Sequence, residues 1–317
     1  MNRYDLCLAW NWEYDADFVE LLNLACQSHG LSLLQITPEN LLEMMQSITH
    51  NEITFRIFFD RASDADSRFI PVVQWARNHA IHHINSYELA RRAWDKVAMH
   101  QAISVNMNTP LTIILPSYDE QPLLPAVDLA SLGGRFAIKP SYGGGGVGVI
   151  NEATTLSQVL VARQESPSQK YLLQAHITPP RLGPRMAWFR VIYCARKVYP
   201  CWWDNGTHIY TRVTSDEEAS YNLGSLRSIT SSIATICGLE LFSTEITVTP
   251  DGCFVIVDYV NDPIDLRLQS KTFDGVPDDI VYEITERIAA GLDSLLSHNE
   301  SDFRDGDASC AEKCWMK

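Results

Sequence analysis

Three times within the first hundred residues an apolar run of strand length is followed by a segment with helical spacing. No other feature of the chain restricts its fold as much. "YDLCLAW" reads as a strand. "DADFVELLNLACQSHG" reads as a helix with Phe18, Leu21, Leu22 and Ala25 on one face and Gly30 as its stop. "LSLLQIT" is a second strand, followed by a helix that Thr37 and Pro38 can start; "ITFRIFFDR" and "SRFIPVVQWARNHA" complete a third pair. Strands separated by crossover helices pair in parallel, so residues 1–95 predict a small doubly wound α/β domain. Its first strand leads into "NWEYDAD" rather than a glycine fingerprint, which disfavours dinucleotide binding there.

A helix beginning near Ser86, "SYELARRAWDKVAMHQAI", leads out of that region, and the pattern then changes to α+β. Extended pieces follow: "PLTIIL", "GRFAIKP", "VGVI", "YLLQAHI", "WFRVIYCARKVYPCWW", "LELFSTEITV" and "CFVIVDYV". Helices are expected near Thr155 to Arg163 and Leu223 to Cys237. A last one, "DDIVYEITERIAAGLDSLLS", precedes a polar tail from about His298 (residues 298–317) that is expected to be disordered.

With 317 residues the chain is long enough for two or three domains. A formal charge of −14 argues against sequence-independent binding to nucleic acid or anionic lipid, which depends on lysine and arginine neutralising phosphate. No apolar run is long enough to span a bilayer, and "MNRYDLCLAWNWEYD" lacks the features of a signal peptide. Four of the eight cysteines, Cys7, Cys194, Cys237 and Cys253, sit in apolar segments and are expected as buried, reduced thiols of a cytoplasmic protein. Cys310 and Cys314, in the polar tail, are the ones expected to be exposed. They have no neighbouring ligands to suggest a metal site.

The stretch "AIKPSYGGGGVGVI" carries the first chemical signal. It lacks the Gly-Lys-Ser/Thr of a Walker loop. Gly143, Gly145 and Gly148 meet the spacing of a Rossmann fingerprint, but "VGVI" after them reads as a strand, not a helix. The remaining anion-binding form is a glycine-rich hairpin lid, in which backbone N–H groups approach phosphate and Lys139 adds a point charge. A mobile surface hairpin with a solvated lysine fits the same residues.

Further motifs separate the two. "WDKVAMHQAI", "TPLTIIL", "FAIKPSYGGGGVGV", "YLLQAHI" and "VIVDYVND" stand in the order and spacing of the ATP-grasp superfamily. From about Asp95 to Asp265 the chain resembles its glutathione synthetase and ribosomal-protein glutamate ligase branch. The segment before it is similar to the domain that usually precedes the module. The resemblance implies one lobe over 96–170 with the lid and another over 171–297 with a metal site. It implies that Lys96 and Lys139 contact ATP phosphates, that Gly143, Gly144, Gly145 and Gly146 belong to the lid, and that Gln174 to Ile177 form the hinge against adenine. It also implies Arg190 near the transferred phosphate, and Glu245, Asp258 and Asn261 as magnesium ligands.

Departures from the family pattern accompany these matches. Asp258 and Asn261 are three apart, on opposite faces of a regular strand; a bulge would bring them together, or Asp262 or Asp265 replaces one ligand. Ala175 stands where an acid often follows the hinge glutamine, and "TPPRLGPR" lacks the acid that often holds the ribose. Glu245 and Asp258 nevertheless interrupt apolar strands joined by the Asp251-Gly252 turn, and a shared cation would compensate their burial. Trp188, Trp202 and Trp203 are expected in core or interdomain packing.

The reaction implied by the resemblance is an ATP- and Mg2+-dependent ligation. A small-molecule or peptide carboxylate becomes an acyl phosphate, and an amine (or thiol) then attacks. The family also admits a kinase acting on a hydroxyl, and the irregular metal strand admits a nucleotide-binding module without catalysis. Arg267 and Lys271, after the metal strand, are candidates to neutralise a carboxylate substrate, and Arg267 could equally pair with Asp265 or Asp274. A homodimer is left open.

Overall fold

The alternation of the N-terminal third is realised as β1 (Asn2–Trp10), α1 (Ala16–Ser28), β2 (Leu33–Ile36), α2 (Leu41–Thr49), β3 (Ile53–Arg61), α3 (Ile70–Asn78) and β4 (His82–Ile84). The structure is a computed structural model that describes residues 1–124 and 126–305. All four strands are parallel, in the order β2-β1-β3-β4. The fourth strand, three residues with two histidines, is too short for a period to reveal. Phe18, Leu22 and Ala25 bury the inner face of α1 against Leu6, Leu8 and Phe59, and Gly30, at φ +69°, ends the segment.

The single helix expected from Ser86 is two, α4 (Tyr87–Trp94) and α5 (Lys96–Ile103). Asp95 between them is extended, and its carboxylate accepts from the N–H groups of Val97 and Ala98 at 2.9 and 3.2 Å. An aspartate offers the backbone this cap in place of another turn of helix, so Lys96 becomes the first residue of α5.

A second sheet holds β5 (Thr112–Leu115), β6 (Phe136–Pro140) and β7 (Ile150–Ala153), then, after α6 (Leu156–Glu165), β8 (Tyr171–Ala175). Its order is β5-β8-β6-β7, antiparallel throughout. The "VGVI" strand is corrected: Val147 to Val149 lie in turns, and β7 starts at Ile150. Gly145, Gly146 and Gly148 at φ +59°, +76° and +73° hold the loop out of the strand region.

After a short hairpin of β9 (Arg181–Leu182) and β10 (Arg185–Met186) comes the third sheet. It contains β11 (Trp188–Cys194), β12 (Lys197–Asp204) and β13 (Ile209–Arg212), then, past α7 (Ser215–Ser220) and α8 (Ser225–Cys237), β14 (Leu241–Val248) and β15 (Phe254–Asn261). The order is β13-β12-β11-β14-β15. "WFRVIYCARKVYPCWW" is thus a hairpin, turned by Ala195 and Arg196 at φ +41° and +72°. Its tight turn lacks the asparagine or glycine that would announce it.

α9 (Asp278–Asp305) runs past His298, so the tail expected from that residue begins as helix; elongating a formed helix costs little. Ile284, Ile288 and Leu292 share one core with Leu6 and Phe18 of the first layer and Ile192 and Cys201 of the third sheet. A separate core packs α4, α5 and α8 against the third sheet and Leu172 of β8. Cys7, Cys194 and Cys237 are buried free thiols as expected, whereas Cys253 is exposed in the turn before β15; Cys310 and Cys314 lie outside the described residues. No helix among the described residues is long and apolar enough to cross a membrane.

Candidate active site between the second and third sheets

β14 and β15 bring the carboxylates together. Glu245 is the register partner of Asp258, while Ser243 pairs with Asn261 and Ile246 with Ile256. Between these pairs β15 spends one residue more than β14, twice, so it bulges on both sides of Asp258. The three-residue spacing is thereby absorbed: Asn261 Nδ2 donates to Asp258 Oδ2 at 3.0 Å. Asp262 and Asp265 have other partners. Asp262 accepts from Asn85 at 2.7 Å and Trp94 at 3.3 Å, and Asp265 is held by Arg267.

Cationic groups converge on the pair. Arg190 of β11, across the sheet from Glu245, donates to its Oε1 at 3.1 Å and to Ser243 Oγ at 3.3 Å, with its guanidinium over the Trp203 ring at 5.0 Å. Trp188 Nε1 donates to Glu245 Oε2 at 3.1 Å. That contact with the site goes beyond the packing role its position in an apolar strand suggested; Trp202 and Trp203 are buried in the core. Lys139, projecting from β6, donates to the carbonyl of Val257 at 2.7 Å, a carbonyl that the bulge leaves outside the regular ladder. Lys96 donates to the carbonyl of Gly143 at the base of the glycine loop.

The electrostatics record this proximity. Burial pushes Glu245 above the usual carboxylate range, opposed by Arg190 and reinforced by the charge of Asp258. Burial also lowers Lys96, with Lys139 adding to the fall and Asp258 opposing it. Two carboxylates placed directly opposite repel each other, and a bridging cation relieves that strain. Among the described residues no group of three or more His, Cys, Asp and Glu side chains gathers as a metal centre. The set that does gather, two carboxylates and a carboxamide, is all hard oxygen donors and fits a magnesium ion.

Gln174 is buried in β8, its backbone paired on both sides and its side chain bonded to Tyr259; the strand ends at Ala175, and Ile177, half-buried, lies in the irregular segment beyond it. Gly143, Gly144, Gly145 and Gly146 are exposed. Arg267 takes the ion-pair alternative, gripped by Asp265 at 2.6 Å and Asp274 at 3.0 Å and lying 5.4 Å over the Trp12 ring. Lys271 is exposed on the same loop. Sequence reasoning missed Trp188 and Ser243, which belong to ordinary strand patterns, and passed over His100 and Tyr259 inside "WDKVAMHQAI" and "VIVDYVND", where the motifs point to their neighbours.

No protein-family model matches the chain, and no curated protein matches it in sequence. Its likeness is structural. A RimK domain ATP-grasp protein from Sphaerobacter thermophilus superposes with a TM-score of 0.61 at 16% identity, over 90% of this chain and 98% of that one. The D-alanine–D-alanine ligase from Bacillus anthracis, complexed with ATP, gives 0.61 at 12% over 90% and 99%. The ATP-grasp ligase PsnB, complexed with a minimal precursor, Mg and ADP, gives 0.59 at 10% over 90% and 96%. The three layers, their order along the chain and these superpositions agree: the chain has the ATP-grasp fold.

Proposed function

We propose that the protein is an ATP- and Mg2+-dependent ligase that activates a carboxylate as an acyl phosphate and passes it to an amine. The observation that carries this reading is the doubly bulged β15. It sets Asp258 opposite Glu245 and beside Asn261, with Lys139 anchored one residue away. The double bulge sets two half-buried carboxylates face to face, an arrangement that a shared cation would compensate. In this reading residues 1–95 precede a nucleotide-binding module whose lobes span 96–170 and 171–297.

Lys96 and Lys139 neutralise the phosphates, and the N–H groups of the glycine loop close over them. Arg190, kept charged beside Glu245, offers its guanidinium to the phosphoryl group in transfer. Glu245, Asp258 and Asn261 would hold magnesium, which when bound neutralises charge on the phosphate oxygens. The neighbours complexed with ATP, and with Mg and ADP, support the nucleotide and the metal. The chain beyond Ala175 is the hinge edge available to adenine.

ADP release measured over a panel of carboxylates, with and without amines, tests the reading. Turnover should need magnesium, a carboxylate and an amine together, and should fall about 100-fold or more in Lys139→Ala and Asp258→Ala. Full turnover on an alcohol alone would replace ligation by phosphorylation of a hydroxyl. Turnover that survives both substitutions would sink the site assignment.

A further inference from the structure

The hydroxyl of Tyr259 ties together parts that the proposed site draws from three places. Tyr259 is 2% exposed and lies in β15, next to Asp258 and between the two metal-strand residues. Gln174 Nε2, from β8 in the second sheet, donates to this hydroxyl at 2.8 Å. His100 Nδ1, from α5, lies 2.6 Å from it. α5 is the helix that Lys96 begins, and β8 is the strand that runs into the hinge.

One carbonyl orients the start of this hydrogen-bond chain. Pro110 O can only accept, and Thr112 Oγ1 donates to it at 2.8 Å. Thr112 Oγ1 must therefore accept from Gln174, whose NH2 group lies 3.3 Å away. The same NH2 donates its second proton to Tyr259 Oη. The tyrosine then has one proton left, and His100 Nδ1 receives it. This assignment has His100 Nδ1 as the acceptor, and burial lowers the pKa of His100 in the same sense.

We infer that Tyr259 is a positioning residue that couples nucleotide binding to metal binding: through Gln174 and His100 its hydroxyl fixes the hinge strand and the Lys96 helix relative to Asp258 and Asn261. This rests on the nucleotide reading above. Each hydrogen bond joins elements of different sheets or layers that also share one apolar core, so losing one loosens their relative placement. The aromatic ring packs in the core around α5 and α8, which separates its packing from its hydroxyl and makes Tyr259→Phe an informative variant. His100→Asn keeps an acceptor in the place of Nδ1, whereas His100→Ala removes it.

The test is the coupling itself, measured by calorimetry as the factor by which MgCl2 tightens binding of a non-hydrolysable ATP analogue over binding in EDTA. Tyr259→Phe and His100→Ala should reduce that factor about five-fold or more, while His100→Asn keeps it near the wild-type value. Thermal melting of the free proteins accompanies each titration. An unchanged factor in Tyr259→Phe, whether or not its melting temperature falls, overturns the inference, because a structural role alone would move only the melting. Equal damage from His100→Asn and His100→Ala would also overturn it. Failure of the wild type to bind the analogue would instead sink the nucleotide reading, and this inference with it.

Discussion

A buried ion pair inside the first layer also reaches the loop that follows β15. Arg61, at the end of β3, grips Asp15 through two hydrogen bonds of 2.8 and 2.7 Å and donates to the carbonyl of Ile264 at 2.9 Å, with both side chains 3% exposed. Removing one partner of such a pair leaves a charge buried without compensation, which costs about 3–5 kcal/mol. Asp15→Ala should therefore lower the unfolding free energy by that amount, read from the urea midpoint; a change under about 1 kcal/mol would mean that Arg61 reaches water or another acceptor. None of this was legible in the sequence. Arg61 ends an apolar strand and Asp15 opens a helix, and the pairing depends on the fold that brings them together. Lys96, Lys139 and Asp258 stand in three of the five ordered motifs, and Arg190 and Glu245 are singled out by the same resemblance; the fold brings these five near one another, while their roles stay proposals. Trp188 stands outside those motifs and Tyr259 inside one that points only to its neighbours Asp258 and Asn261, and their hydrogen bonds appear only once β11 and β15 are paired and packed.

Elements were legible where a local period determines them and obscure where pairing does. β1, β3 and α1 follow from apolar repeats within their own residues. The bulges of β15 do not, since they exist only in its register with β14; a period of two had put Asp258 and Asn261 on opposite faces. The break between α4 and α5 lies between these cases. Asp95 is a good cap, but the helical pattern runs through it, and only packing decides that the chain turns there. The break makes Lys96 an N-terminal residue of α5 aimed at the glycine loop. Asp95→Ala removes the cap at a cost of about 1 kcal/mol. It also allows α4 and α5 to merge, which would swing Lys96 away. The KM for ATP should rise several-fold, more than so small a loss of stability explains. An unaltered KM beside the expected shift in urea midpoint would detach Lys96 from the nucleotide.

The order of the three layers was legible as a whole, yet 10–16% identity to the structural neighbours leaves little for a sequence match to hold. What such relatives share is the pattern and volume of the core rather than the residues filling it. The closure by α9 escaped the sequence for the opposite reason: its apolar face shows that it packs, not that it joins the first layer to the third sheet. Stability of the assembled molecule should also carry a pH signature that no segment has alone. His83, at the edge of the first sheet, sets its ring edge-on to Phe58 at 5.4 Å, and its Nε2 is buried without a hydrogen-bond partner. Burial lowers its pKa from 6.5. Below pH 6.5 the unfolded chain takes up a proton that the native histidine refuses, so this contribution is lost as pH falls towards the native value. Asp64 has the opposite sign. Burial first, and then the charge of Asp60, raise it from 3.8, so the native state keeps a proton the unfolded chain has released, and stability falls as pH rises through that window. The two slopes have opposite signs, so the wild-type curve alone does not separate them. His83→Leu removes only the first. Its unfolding free energy, measured in urea at pH 8, 6.5 and 5, should gain on the wild type by up to about 1.4 kcal/mol per pH unit below 6.5. A difference between the two proteins that stays constant from pH 8 to 5 would show that the native imidazole takes up its proton as freely as the unfolded one.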